Sequence, residues 1–418
     1  MLNKYNSYVG RSLLGRKIMW TLGTIFLYMI GRYLPIATIP LNQSLTSQSA
    51  MSDLINNLAL VTGGQFSNLT LFSLGLSPWM TSMIIWRFLT LFKWVKVRTK
   101  RQEHFYQMWL MLAVALIQAF GISALGNYYY LPDLGPNSQD LLRLASMVIL
   151  VAGAYVLMWI GQLNAQKGLG SSTVIIITNI IISFLLNTGS YFQDVTLFSG
   201  MWWISILLMM VASSFLVLVT VIVYRAEYRI PLKRIMLTHT YSEESYIPIR
   251  LTPAGGLPFM YAMTLMSLPP IVFRGLLQIF PENGPLRFLA DNSNLTELSG
   301  ILIYIALLFF LAIGFAYFNL DPTEVAKQLQ KSGDYIEHVR PGEATRIYIA
   351  RYLKYLAIIG ALYTALVGGL PILLVWKQSG EVGLALIVNN IYIVTTLLLG
   401  LVEQVDIIRS WKRYGNLL

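Results

Sequence analysis

The 418 residues are 56% hydrophobic and only 12% charged, with a mean hydropathy of +0.61, where a soluble domain carries about 25% charged residues; an integral membrane protein is expected. Cysteine is absent, which excludes disulfides, a thiol nucleophile and a cysteine metal site, and the three histidines (His104, His239, His338) fall in expected loops, so neither a metal, a cofactor nor membrane-embedded catalysis is expected. The formal charge of +11 would suit a nucleic-acid partner only if its position along the chain did not already explain it.

A hydrocarbon core about 30 Å thick requires about 20 apolar residues per helix. Ten segments qualify, at about 18–39, 74–92, 106–126, 142–163, 172–190, 201–223, 254–277, 299–319, 352–375 and 382–404. Segment 172–190 contains ten Val, Ile, Leu or Phe residues, which favour insertion by roughly 3 to 6 kcal/mol. Helices are required, because the 10-residue alternation of membrane strands is missing. Lys4, Arg11, Arg16 and Lys17 precede the first segment, which is too long for a cleaved signal and lacks an A-x-A site, so the N-terminus is expected to stay, and to stay cytosolic. Alternate threading from there assigns 24 of the 30 Lys and Arg to the cytosolic side and puts both termini inside. The charge is then accounted for by orientation, and no direct nucleic-acid partner is expected.

Between the first two segments, "MSDLINNLALVTGGQFSNL" (51–69) is too polar to cross a bilayer and too apolar for an ordinary loop. Lipid cannot satisfy its backbone, so residues of about 51–66 are expected to fold back as a short re-entrant plug. The next stretch, "FSLGLSPWMTSMIIWRF" (72–88), opens a helix at Gly75-Leu76-Ser77-Pro78-Trp79-Met80. That opening recurs 180 residues later as Gly255-Gly256-Leu257-Pro258-Phe259-Met260. Proline in a first helical turn leaves no donor unsatisfied, and glycine permits the turn before it. By the threading, the first copy runs inwards and the second outwards, which predicts two inverted five-helix halves, 1–190 and 191–418. Gly and Pro are frequent in membrane helices, so the match alone leaves coincidence open. No Asp or Glu falls within the ten segments until Glu403, whereas ion-coupled transporters place ionisable groups at depth.

Several motifs resemble the SecY/Sec61 translocon channel family, over about residues 10 to 410. "LGLSPWMTSMII" is similar to its second helix, "VALIQAFGI" (114–122) to its third, "LMWIGQ" (157–162) to its fourth, and "AEYRIPLKR" (226–234) to the loop after its sixth; "VRPGEAT" (339–345) with "GALY" (360–363) resembles the region after its eighth. The resemblance implies a protein-conducting channel, closed by the plug, with an apolar ring at the waist and a lateral gate between the second and seventh helices, whose starts are marked by Gly75, Pro78, Gly255 and Pro258. The positions that match the ring are Met80, Ile84, Ile177, Ile181, Met260 and Leu398. Both i, i+4 pairs share a helix face; from spacing alone such pairs more often face lipid or a neighbouring helix. Apolar constrictions resist ion leakage by dewetting, and methionine makes an adaptable gasket.

The loops 224–251 and 320–351 are expected on the cytosolic side. In the second, Asp321-Pro322-Thr323-Glu324 reads as a helix start and Gly333 as its stop. In the family these loops dock the ribosome or the SecA motor, which makes Arg229, Lys233, Arg234 and Arg340 the expected partner contacts, although basic loops also satisfy the positive-inside rule. Gln118, Asn179, Asn389 and Asn390 are expected to join helices. After the fourth helix, "GQLNAQKGLGSS" (161–172) keeps Gly168 and Gly170 but lacks the family's acidic residue and Asn-Gly. With the methionines at the waist, this departure resembles the accessory SecY paralogue of Gram-positive bacteria. That subtype implies export of serine-rich glycosylated surface proteins across the cytoplasmic membrane, with a dedicated SecA-type ATPase, unfolded preprotein, accessory export proteins and small SecE-like subunits as partners. The general SecY channel is the alternative within the family, and an inverted-repeat transporter the alternative outside it. An enzyme is disfavoured: Ser77 lies in Gly-Leu-Ser-Pro and no histidine falls within the spans to activate it.

Overall fold

The structure, a computed structural model, describes residues 2–36, 38, 69–91, 99–123, 138–182, 202–234, 245–279, 283–293, 295, 297–377 and 382–414. In chain order the elements are α1 (Leu2–Tyr33), α2 (Ser77–Leu91), α3 (Lys100–Ser123), α4 (Ser138–Lys167), α5 (Thr173–Ile182), α6 (Trp202–Arg225), β1 (Glu227–Pro231), β2 (Lys233–Arg234), β3 (Tyr246–Arg250), α7 (Leu257–Ile279), α8 (Gly284–Asn292), α9 (Leu298–Asn319), α10 (Pro322–Ser332), β4 (Asp334–Tyr335), α11 (Glu343–Lys377) and α12 (Val382–Tyr414). Each of the ten predicted spans contains a helix among its described residues, but four are shorter than predicted: the first ends at Tyr33, and the second, fifth and seventh begin at Ser77, Thr173 and Leu257, after turns that occupy 74–76, 172 and 254–256. Among the described residues, five helical stretches, in α3, α4, α9, α11 and α12, are long and apolar enough to cross a membrane by length and composition. The predicted plug, 51–66, lies outside the described residues.

Polarity is distributed as lipid demands. Large apolar side chains face outwards, with Phe215 67% and Phe310 69% exposed, while Gln118, Asn164, Asn179 and Asn389 are buried. The buried amides join helices. Gln118 of α3 donates to Ser77 Oγ of α2 (3.0 Å), and Asn389 of α12 donates to the Tyr304 hydroxyl of α9 (3.1 Å). Each such bond contributes about 0.6 to 2 kcal/mol in a membrane.

The chain forms two compact units, one of residues 1–202, 263–300 and 397–418 and the other of 203–262 and 301–396. In the first, α3 and α4 pack through Met111, Ala115, Ala119, Leu150, Ala154 and Met158, with Leu69 and Leu74 against them. The small residues Ala115 and Ala119, at i and i+4 of α3, bring the helices close. In the second, β1 and β3 pair antiparallel from Glu227↔Arg250 to Pro231↔Tyr246, and β2 pairs with β4. Ile230, Ile247 and Ile249 of this ribbon meet Leu329 of α10, Ile336, Ala316 of α9 and Ile349, Leu353 and Ala357 of α11 in one apolar cluster. The two long loops of the sequence, 224–251 and 320–351, therefore fold together where they are described. α10 has the predicted caps: the Asp321 carboxylate accepts from the Thr323 N–H (2.8 Å), and Gly333 ends the helix at φ 75°.

The internal echo is a repeat of structure. The residue after α1, Leu34, accepts through its carbonyl from the Leu71 N–H (3.0 Å); the residue after α6, Ala226, accepts in the same way from the Leu251 N–H (2.9 Å). Four residues further on, Gly75 (φ 58°) donates to the Phe72 carbonyl and Gly255 (φ 54°) to that of Thr252. α2 and α7 then begin at Ser77 and Leu257, 180 residues apart. Both turns are also met by a glycine from the fourth helix of their half. A β-carbon at Gly153 of α4 would overlap the Leu71 carbonyl oxygen, and one at Gly360 of α11 would overlap that of Leu251. Gly153→Ala and Gly360→Ala are each expected to destabilise the protein by about 1–3 kcal/mol. Thermal unfolding in detergent micelles measures this, with Gly314→Ala, where nothing lies within 4 Å, as a control expected to be neutral or stabilising.

Candidate functional site

Gly75, Pro78, Gly255 and Pro258 build two alike helix starts. Positive φ at each glycine turns the chain back by a conformation that an L side chain resists, and the proline two residues into the break sits in the first helical turn, where its missing N–H costs nothing. Met80 and Met260 follow on the first turn of their helices and are buried, their N–H groups donating to the carbonyls of Leu76 (3.0 Å) and Gly256 (3.4 Å). Ile84, four residues after Met80, is buried on the same face. α7 touches α2 through this face: the Thr264 hydroxyl donates to Met80 Sδ at 3.7 Å. Thr264 was not singled out in the sequence, although it follows Met260 at i+4 and shares its helix face.

α5 carries the next two ring positions. Ile177 is buried, whereas Ile181 is 41% exposed; Leu398 of α12 is likewise exposed, at 42%. The structure thus buries four of the six ring residues and leaves Ile181 and Leu398 open. Between the α5 isoleucines, Asn179 Oδ1 accepts from the Tyr28 hydroxyl (2.8 Å) and from the Arg32 guanidinium. Arg32, 3% exposed, is a buried cation near the end of α1. Tyr28 stacks on Phe72, whose ring fills the space beside Gly31 and so ties α1 to the turn before α2.

In the loops expected on the cytosolic side, Arg229 is bound to Glu227 (2.8 Å) and lies over the Tyr246 ring, 4.6 Å from its centroid. Lys233 reaches Glu337 (2.6 Å) across the β2–β4 pair; this hydrogen bond holds the ammonium pKa above the ordinary lysine value. Arg234 pairs by backbone register with Asp334. Arg340 is exposed and its side chain has no ion pair among the described residues; its carbonyl accepts from the Thr345 hydroxyl (2.9 Å), which fixes the Arg-Pro-Gly turn at the head of α11. Beside it, Arg346 is bidentate on Glu343 and holds that carboxyl below the usual carboxylate range. Of the four expected contacts, then, Arg229 and Lys233 hold the ribbon together and Arg340 points free. His104, expected in a loop, is in the first turns of α3, edge-on to Trp79 with ring centroids 6.3 Å apart. Among the described residues no cluster of His, Cys, Asp or Glu could hold a metal ion.

Comparison with known proteins agrees with this architecture. The SecY family model matches residues 70–396. The accessory Sec system protein translocase subunit SecY2 of Streptococcus parasanguinis is 42% identical over the full length of both chains. The SecY2 of Streptococcus gordonii is 34% identical, over 97% of this chain and 98% of its own, and that of Leuconostoc gelidum subsp. gasicomitatum 32% identical, over 96% of each. Among solved structures, a protein-conducting channel superposes with a TM-score of 0.67 at 17% identity, covering 96% of this chain and 93% of that one, and canine Sec61 with a TM-score of 0.64 at 15% identity and the same coverage. These share the fold of ten spanning helices in two inverted five-helix halves. The chain belongs to the SecY family of protein translocase channels, with accessory SecY2 subunits as full-length relatives.

Proposed function

We propose that the chain is the channel subunit of an accessory Sec translocase, passing unfolded preprotein across the cytoplasmic membrane under the drive of a SecA-type ATPase. The observation that carries this reading is the doubled helix start, which gives α2 and α7 the same entry and a buried methionine at the same position, with α7 in contact with α2 through Thr264 and Met80. A contact between a soft thioether and a hydroxyl is weak and adaptable, as a seam that parts requires. The waist is formed by Met80, Ile84, Ile177, Ile181, Met260 and Leu398, and the plug of about 51–66 closes it. Residues 1–190 and 191–418 form its two halves, and both termini face the cytosol.

Energy comes from a partner, since no G-x-x-x-x-G-K-[ST] motif occurs in the sequence. The motor docks on the ribbon and on the Arg340 turn, which share one apolar cluster with α9 and α11. Small SecE-like subunits and accessory export proteins complete the assembly, and serine-rich glycosylated surface proteins are its cargo. An inverted-repeat transporter is a poorer fit, because the buried amides Gln118, Asn179 and Asn389 are engaged in bonds between helices.

The reading is tested with a photoreactive residue at Met80 or Met260 and an export substrate jammed by a folded tag. A crosslink that requires SecA and ATP is expected; a jammed substrate that is engaged yet crosslinks from neither position removes both residues from the pore. Arg340→Glu is expected to abolish motor-driven export while leaving membrane insertion and thermal stability unchanged, and export at the normal rate takes Arg340 out of the docking site. Replacement of 51–64 by a short Gly-Ser linker should make resting channels conduct small ions in a planar bilayer; unchanged conductance counts against the plug.

A further inference from the structure

The turn between α4 and α5 is held by four different helices. Asn164 of α4, fully buried, donates through Nδ2 to the carbonyls of Leu169 (2.7 Å) and Ser171 (2.8 Å). Two carbonyl acceptors fix the orientation of the amide. Gly168 passes so close that a β-carbon there would overlap Asn164 Oδ1. From α1, the Thr21 hydroxyl accepts from the Leu169 N–H (2.9 Å). From α12, Gln404 Oε1 accepts from the Gly170 N–H (3.0 Å), and Leu401 fills the space that a side chain at Gly170 would need. The last partner is α5 itself, whose first hydroxyl, on Thr173, donates to the Gly170 carbonyl. Ser171 is held at φ 51°, a conformation that costs a non-glycine residue about 1 kcal/mol or more and that the Asn164 bond to its carbonyl secures. The turn lacks the Asn-Gly of the family pattern, and an amide from the preceding helix does the holding instead.

We infer that Asn164 and Gln404 are positioning residues for α5, setting the register of its pore face against α1 and α12. Among the described residues α5 has a further polar fastening, Asn179 to Tyr28 and Arg32 of α1, so the turn before α5 is held at Thr21 and Asn179 at Tyr28, seven residues apart on α1 and on the same helix face. None of these bonds uses Ile177 or Ile181. The side chains proposed for the waist are therefore free to yield while the helix that carries them keeps its register. α12 continues ten residues beyond Gln404, to Tyr414, so displacement of that tail is transmitted to the N-terminus of α5. This inference rests on the channel reading, because it concerns the seal of the pore.

The test compares Gln404→Leu, which removes the acceptor, with Gln404→Glu, which keeps one, and with Asn164→Leu. Conductance of resting, purified channels in planar bilayers is normalised to folded protein, with the 51–64 replacement as the positive control. Gln404→Leu and Asn164→Leu are expected to raise the resting ion conductance several-fold, while Gln404→Glu stays within about twofold of the parent. A merely structural role lowers yield or melting temperature without a leak per channel. If the plug replacement conducts and Gln404→Leu is as tight as Gln404→Glu, the positioning role is overturned and the channel stands. If the plug replacement itself does not conduct, the seal on which the inference depends is absent and both fall. Should Asn164→Leu fail to fold, the Gln404 pair decides alone.

Discussion

Backbone that leaves a helix inside a membrane has no water to satisfy it, and this constraint governs the architecture. At the heads of α2 and α7 the chain is broken, and each break is resolved in the same way. A single antiparallel bond to the chain leaving the previous helix satisfies Leu71 or Leu251, a glycine with positive φ turns the chain back on itself, and proline opens the helix where its missing donor is not required. Gly153 and Gly360 then allow a whole helix to lie against the carbonyl of the break. Four matching positions, Leu71 and Leu251, Gly75 and Gly255, Pro78 and Pro258, and Gly153 and Gly360, arrive at one geometry, which is stronger support for a duplicated origin of the halves than the six-residue echo alone.

The same constraint inverts the usual distribution of polarity. A soluble protein buries apolar side chains and leaves its amides in water; here Asn164, Asn179, Asn389 and Gln118 are inside, while Phe215 and Phe310 are among the large apolar side chains that face outwards. Lipid offers no hydrophobic drive for one apolar helix to leave it for another, so packing of small residues and the amide bonds supply the specificity of helix pairing. The arrangement also separates two tasks. Amides and tyrosines fix where helices stand, while Met80, Ile84 and Ile177 are buried by apolar packing, which depends less on direction than a hydrogen bond does.

How much of this the sequence disclosed follows from the range of each signal. The ten spans were legible because 20 apolar residues in a row satisfy a requirement that is local, and the caps of α10 were legible because Asp321, Pro322 and Gly333 act within one turn. The ribbon of β1 and β3 was not. Its inward residues Ile230, Ile247 and Ile249 alternate as strands do, but each run is only five residues, Pro231 and Pro248 interrupt them, and the basic residues around them have a sufficient explanation in topology. Nor did spacing separate Ile177 from Ile181. Both lie on one face of α5, yet one is buried and the other open, because burial depends on how far the neighbouring helices reach, which periodicity does not encode. Arg32 and Asn164 were equally silent: a lone arginine near a helix end reads as orientation, and a lone asparagine near a loop reads as loop.

The cytosolic ribbon gains its significance from what it is built on. Its isoleucines pack on Ala316 of α9 and on Ile349, Leu353 and Ala357 of α11, and the Lys233–Glu337 pair closes the second ribbon over the same cluster. A force applied by a partner to loops attached only at their ends would be dissipated in loop motion. Applied to loops that share an apolar core with two spanning helices, it is carried into those helices, since a close-packed interior transmits displacement rather than absorbing it. α11 is also the helix whose Gly360 lies against the Leu251 carbonyl at the head of α7. One contiguous line of packed groups thus runs from the exposed Arg340 turn, along α11, to the break at which α7 begins. Displacement of the Arg340 turn is therefore carried to the start of α7 through packed groups alone.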